Sequence, residues 1–155
     1  MKKTSTKIAA WIPVILWMML IFFLSAQSAA ESSGLSSKVT ELMLGLINKV
    51  VPAFSSGLVD YAYLNHVVRK LAHFLLYLVL GLLSARALRK NGITGGKQLV
   101  LAVIFCALYA VTDELHQMFV PGRSGQISDV VLDTMGGLAG VILYHSRQAD
   151  KRNPS

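Results

Sequence analysis

Three stretches of this chain are apolar enough to cross a membrane, yet too short to do so without carrying charge along. Between Lys70 and Arg86 lie 15 uncharged residues, 71–85, and between Lys97 and Asp113 another 15, 98–112. Fifteen helical residues rise about 22 Å, against a hydrocarbon core of about 30 Å. To cross, the second helix must draw in Arg69 and Lys70 or let Arg86 snorkel. The third must continue through Asp113, His116 and Gln117 to about Val120. The last, residues 127–146, reaches full length only by including Asp129 and Asp133. An earlier run, 8–24, has no charge and crosses unaided. The small residues 25–30 that follow it imitate a signal-peptide cleavage site. The length of that core and the spans behind it favour an uncleaved helix, in which Pro13 is tolerable.

Composition agrees. Mean hydropathy is +0.54, and 15% of the 155 residues are charged, where a soluble protein has about a quarter. One cysteine, Cys106, lies in an apolar run, so no intramolecular disulfide can form. A sequence pI near 9.8 would suggest nucleic acid in a soluble protein. Here the basic residues flank apolar runs, which excludes nucleic acid as the expected partner and points to topology. Lys2, Lys3 and Lys7 precede the first span. Arg86, Arg89, Lys90 and Lys97 lie between the second and third, and Arg147, Lys151 and Arg152 follow the fourth. These are ten of the 15 basic residues, all on the side that the positive-inside rule assigns to the cytoplasm. The expectation is an all-α, integral membrane four-helix bundle, one domain over 1–155, with spans at about 8–27, 67–88, 98–119 and 127–146. Both termini are then cytoplasmic, and residues 31–66 and the VPGRSG turn face outward. Pro121 and Gly122 predict a tight turn that makes the last two helices antiparallel neighbours.

The outward segment carries its own pattern. Leu35, Val39, Leu42, Met43, Leu46 and Val50 recur at helical spacing opposite Lys38, Glu41, Asn48 and Lys49, with Pro52 as the stop. This predicts an extracytoplasmic amphipathic helix between spans one and two, lying in the interface as a connector or as a lid.

With this topology the polar residues of three helices fall at one depth. Arg69, His73 and Tyr77 share a face at i, i+4, i+8. Tyr109, Asp113, His116 and Gln117 share another. Asp129, Asp133, Gly136, Gly137 and Gly140 line one side of the last helix. Gly136 and Gly140 form a GxxxG pair that admits a neighbouring helix. Glu114 points elsewhere, toward the headgroups. Ionisable groups inside a membrane are costly and mark a functional site. His116, Asp113 and His73 are the candidate catalytic groups, an imidazole held by a carboxylate acting as general acid or base. Arg69, Arg123, Gln117, Asp129, Asp133 and Tyr77 are the candidate substrate-binding groups, with the arginines suited to phosphate. A metal site from His73, His116 and an aspartate stays open, although no HExxH is present. A proton relay and a purely binding pocket are open as well, and no cofactor is assigned. Ser124 reads as a turn residue, and 91–96 as a flexible turn. The expected partners are membrane lipids or a lipid-linked envelope precursor, with a homo-oligomer possible.

The segments LSAQS (24–28), RKLAHFLLYLVLG (69–81) and YAVTDELHQMFVPGRSGQISDVVLDTMGG (109–137), in that order, resemble VanZ-like membrane proteins. The matching polar positions are Arg69, Lys70, His73, Asp113, Glu114, His116, Gln117, Arg123, Asp129 and Asp133. One position departs: Leu76 stands before Tyr77 where family members often carry an acid. The resemblance implies a multi-pass protein of the bacterial cytoplasmic membrane with a cell-envelope role. It further implies lowered susceptibility to teicoplanin and related lipoglycopeptides, through binding or modifying an outer-leaflet amphiphile. A membrane hydrolase or transferase acting on a lipid-linked substrate, and a structural partner of another envelope protein, are the alternatives.

Overall fold

The computed structural model describes residues 7–50 and 61–150, and within these every regular element is helical. Helix α1 spans Ile12–Ser25, α2 Ala29–Val50, α3 Tyr61–Lys90, α4 Gly95–Gln117 and α5 Ile127–Asp150. Among the described residues four stretches are long and apolar enough to cross a membrane: Lys7–Ser25, Tyr61–Lys90, Gly95–Gln117 and Ile127–Gln148. They are the four spans expected from the sequence. Pro52 and the basic residues Lys2, Lys3, Lys151 and Arg152 lie outside the described residues, as do the side chains of Met43, Leu46, Asn48, Lys49 and Val50.

The first span does not run unbroken from residue 8. A helical turn at 7–9 gives way to a turn at Ala10 and Trp11, and α1 restarts at Ile12. Pro13 is the reason: it has no N–H for a carbonyl one turn back, so it sits in the first turn of a new helix, where none is needed. Helix α3 is longer than the sequence suggested. Its 30 residues rise about 45 Å, well beyond a hydrocarbon core. The added turns hold α2: Tyr61 Oη donates to the Ser37 carbonyl at 3.3 Å, and Asn65 Nδ2 donates to Ser37 Oγ at 3.3 Å. Helix α2 opens with a capping box, since Ser28 Oγ and its backbone N–H both donate to Glu31 Oε2, at 2.8 and 2.9 Å. Those two bonds hold the exposed Glu31 carboxyl below its ordinary pKa.

Lipid tails are as apolar as leucine, so membrane helices associate through close backbone packing at small residues. The seam between α3 and α5 follows that rule. A Cβ on Gly136 would overlap the Phe74 carbonyl oxygen, one on Gly140 the Leu78 carbonyl, and one on Gly81 the Gly137 carbonyl. Ala85, Ala87, Ala102 and Ala110 continue the small-residue core, with Tyr77, Leu80, Cys106 and Val141 filling it. Side chains such as Ile15, Phe23, Leu108 and Ile142 are exposed on the outside of the bundle, as lipid-facing positions should be.

Helix α1 is bound to this bundle by polar contacts. Trp17 Nε1 donates to the Leu76 carbonyl at 2.8 Å, and Tyr109 Oη donates to the Met18 carbonyl at 2.6 Å. Between α4 and α5, Pro121 and Gly122 make the tight turn read from the sequence. Arg123 N–H donates to the Val120 carbonyl at 3.1 Å, and Gly122 takes φ +75°, the third position of a type II turn that L side chains rarely adopt.

Candidate functional site

The polar residues of α3, α4 and α5 meet at one end of the bundle. From α3, Lys70 Nζ forms an ion pair with Asp129 of α5. One turn further along both helices, His73 Nδ1 stands 3.7 Å from Asp133 Oδ2. Asp113 of α4 completes the group: one ligand-type atom from each of His73, Asp113 and Asp133 lies within 4.8 Å of the others. Asp133 is fully buried and Asp113 is 2% exposed. The glycine seam sets this arrangement, because α3 and α5 pack with their backbones in contact just beyond the acids.

Beside that group is a cavity of about 110 Å³, whose lining includes Arg69, Lys70, His73, Gln117, Arg123 and Asp129. It has room for a small oxyanion or several waters. Two of its walls are arginines. Among the described residues neither Arg69 nor Arg123 belongs to an ion pair. Arg69 Nη2 lies 3.4 Å from His66 Nδ1, and Arg123 Nε is buried without a hydrogen-bond partner. Burial, with the like charge of Arg69 adding to it, pushes the Arg123 guanidinium below its ordinary pKa. Two guanidiniums on one cavity, neither ion-paired, make it a candidate anion site, although Asp129, paired with Lys70, also lines it.

A second cavity, of about 280 Å³, shares Arg69, His73 and Arg123 with the first; apart from Gln27, Ser32 and Ser36 the rest of its lining is apolar. Leu35 and Val39 of α2 line one side, and Leu71, Leu75 and Leu76 of α3 another. The amphipathic helix therefore borders the site. Its apolar residues Leu35, Val39 and Leu42 remain about half exposed or more, and Thr40 and Ser36 are buried among its described side chains.

The structure sorts the sequence candidates. Arg69, Lys70, His73, Gln117, Arg123 and Asp129 line the polar cavity, and Asp113 and Asp133 stand with His73 beside it. Asp129 meets Lys70, a pairing that sequence reasoning did not make. Tyr77 is wholly buried, its hydroxyl without a partner and its ring 6.1 Å from that of Tyr109. His116 goes elsewhere. It stacks on Phe22 of α1, centroids 4.4 Å apart, and is not among the residues that line the cavity. Glu114, expected to point toward headgroups, is buried instead: its Oε2 accepts the Gln126 backbone N–H at 2.8 Å and ties the turn to α4. Ser124, read as a turn residue, lines the cavity as well.

Ser25 was missed. Gln117 Nε2 donates to its Oγ at 2.7 Å and also reaches Asp113 Oδ2 at 3.4 Å. Both bonds are buried, and the one to Ser25 fixes the end of α1 against α4. A signal was present: Val14, Ile21 and Ser25 fall on one helical face and are the buried residues of α1, so the hydroxyl had to face a helix.

No curated protein and no solved structure matches this chain. A family model described as VanZ/LLP1 matches residues 10–148, nearly all of it, and covers all four spans and every polar residue of the site; the chain belongs to the VanZ/LLP1 family.

Proposed function

We propose that this protein binds an anionic amphiphile at the outer leaflet of the bacterial cytoplasmic membrane, and so lowers access of teicoplanin-type lipoglycopeptides to the cell surface. The observation that carries this reading is the pairing of the two cavities. A polar one of about 110 Å³ holds Arg69 and Arg123, and a mostly apolar one of about 280 Å³ shares the same two arginines and His73. A phosphate on the guanidiniums gains charge-assisted hydrogen bonds, each worth roughly 1.5–3 kcal/mol. A tail against Leu35, Val39, Leu71 and Leu75 exchanges one apolar surface for another and fixes orientation. The ten basic residues expected on the opposite side support an outward placement of the site.

Native mass spectrometry of the gently extracted protein tests it. Wild type should retain an anionic lipid or lipid-linked precursor that an Arg69→Gln/Arg123→Gln variant loses while still folding. Equal retention by both, or by neither, rules the headgroup site out. In cells, the same variant should lose any effect of the wild-type gene on teicoplanin susceptibility.

A second reading, a membrane hydrolase or transferase acting on a lipid-linked substrate, rests on the His73–Asp133 pair. A histidine 3.7 Å from a buried carboxylate, on the wall of a polar cavity, could serve as a general acid or base. Under that reading His73→Gln keeps lipid retention but abolishes turnover of the retained molecule, whereas under the binding reading no turnover is found in wild type.

A further inference from the structure

Asp133 and Asp113 present a problem that the amphiphile site does not solve. Neither oxygen of the fully buried Asp133 has a hydrogen-bond partner, and Oδ1 of Asp113 has none. His73 Nδ1 is likewise without one, at 3.7 Å from Asp133 Oδ2. Asp113 Oδ2 takes a long 3.4 Å bond from Gln117, and the Ser25 hydroxyl also stands beside the Asp113 carboxylate, whereas Asp133 has no such donor. The ammonium one turn away, Lys70, is taken by Asp129. Buried carboxylates left in this state are strongly disfavoured; they are paired, protonated or bound to metal.

From these positions we infer a divalent metal site, with His73, Asp113 and Asp133 as its protein ligands, one from each of α3, α4 and α5. The donor atoms already lie within 4.8 Å of one another. Tetrahedral ligands about 2.0–2.1 Å from a zinc ion stand about 3.4 Å apart, so side-chain torsions need close the triangle by only about an ångström. One imidazole and two carboxylates suit zinc or manganese, whereas calcium and magnesium prefer oxygen ligands throughout. Three protein ligands leave at least one position open, the pattern of a site that also takes water or substrate. Two positive charges on the ion match the two carboxylate charges. The site stands apart from the amphiphile reading, because metal content and lipid retention are measured separately.

The test is metal content of the purified full chain. Protein expressed with zinc or with manganese in the medium, extracted in mild detergent and dialysed, should carry close to one ion per chain by inductively coupled plasma mass spectrometry. Asp133→Asn and His73→Gln should lose at least about 100-fold in affinity, while His145→Gln, remote on α5, should keep the ion. Wild type free of both metals overturns the proposal and leaves a shared proton as the occupant. Equal metal in wild type and in folded ligand variants marks an adventitious ion and overturns it too. Should the variants fail to fold, cobalt(II) added to metal-stripped wild type decides: visible d–d bands at one equivalent, displaced by zinc, support the site, and their absence refutes it.

Discussion

The Cα of Gly136 lies so close to the Phe74 carbonyl oxygen that a methyl group cannot enter between them. Backbone, rather than a flexible side chain, is the obstacle, so α3 and α5 must move apart to accept one. Gly136→Ala should destabilise the bundle by about 1–3 kcal/mol, the usual result of overpacking, and Gly140→Leu by more. Gly34, which has nothing within 4 Å of a new Cβ, supplies the contrast. Gly34→Ala should raise stability by up to about 1 kcal/mol through helix propensity. Thermal unfolding in detergent reads both signs.

The buried bond between Gln117 and Ser25 predicts non-additivity. Ser25→Ala strands the Gln117 amide and should cost about 1–3 kcal/mol, as should Gln117→Leu, which strands the hydroxyl. The double variant should cost clearly less than the two single changes together, because neither orphan remains.

Charge at the polar cavity should control lipid retention. Loss of one charge-assisted bond of roughly 1.5–3 kcal/mol corresponds to about 10–100-fold in affinity. Arg123→Gln should therefore weaken binding to phosphatidylglycerol vesicles or nanodiscs by that factor, and binding should fall as salt rises. Phosphatidylcholine serves as the reference, against which the variant should differ little.

Lys70 and Asp129 should be exchangeable as a pair. An unpaired charge at membrane depth costs about 2.5–3.5 kcal/mol on insertion scales, and less for a partly exposed group. Lys70→Asp and Asp129→Lys should each reduce folded yield, and the double swap should restore much of it. Fluorescence-detected size-exclusion chromatography would show the recovery.

The capping box of α2 gives a pH dependence. The folded pKa of Glu31 is depressed by Ser28. Its contribution is thus fully present above the unfolded glutamate value, about 4.3, and is lost as pH falls through the lower folded value. Amide exchange at the start of α2 should quicken across that acid window, and Ser28→Ala, which keeps only the backbone bond to Glu31, should weaken the dependence.

Much of the fold was legible because a bilayer leaves few options. Apolar run length fixed the number of spans, and charge placement forced Asp113, Asp129 and Asp133 inward. Helical phase then placed His73, Asp113 and Asp133 on faces able to meet. Phase could not say which acid each cation would take. Lys70 and His73 both project from α3 toward α5, and the one-turn offset that pairs them with Asp129 and Asp133 depends on how α3 and α5 slide along their seam. Only the glycines against the Phe74 and Leu78 carbonyls determine that offset. His116 shows a second limit. It shares a face with Asp113 on a helical wheel, yet that face is broad enough for α1 to take one edge through Phe22 while α3 and α5 take the other. Glu114 was misplaced for a related reason: its carboxylate satisfies a backbone N–H in the turn after Pro121, a debt invisible until the turn geometry is known.

The glycine seam also decides where this protein can be opened. With α3 and α5 joined backbone to backbone, the spacing of Lys70, His73, Asp129 and Asp133 is mechanically stiff and cannot widen to admit a guest. The flank formed by α2 has no such weld: among the described residues, side-chain hydrogen bonds from Tyr61 and Asn65 to Ser37 and Glu41 tie it to α3. Under the proposed function, the softer α2 flank rather than the stiff ionic end is where a lipid would exchange with the bilayer.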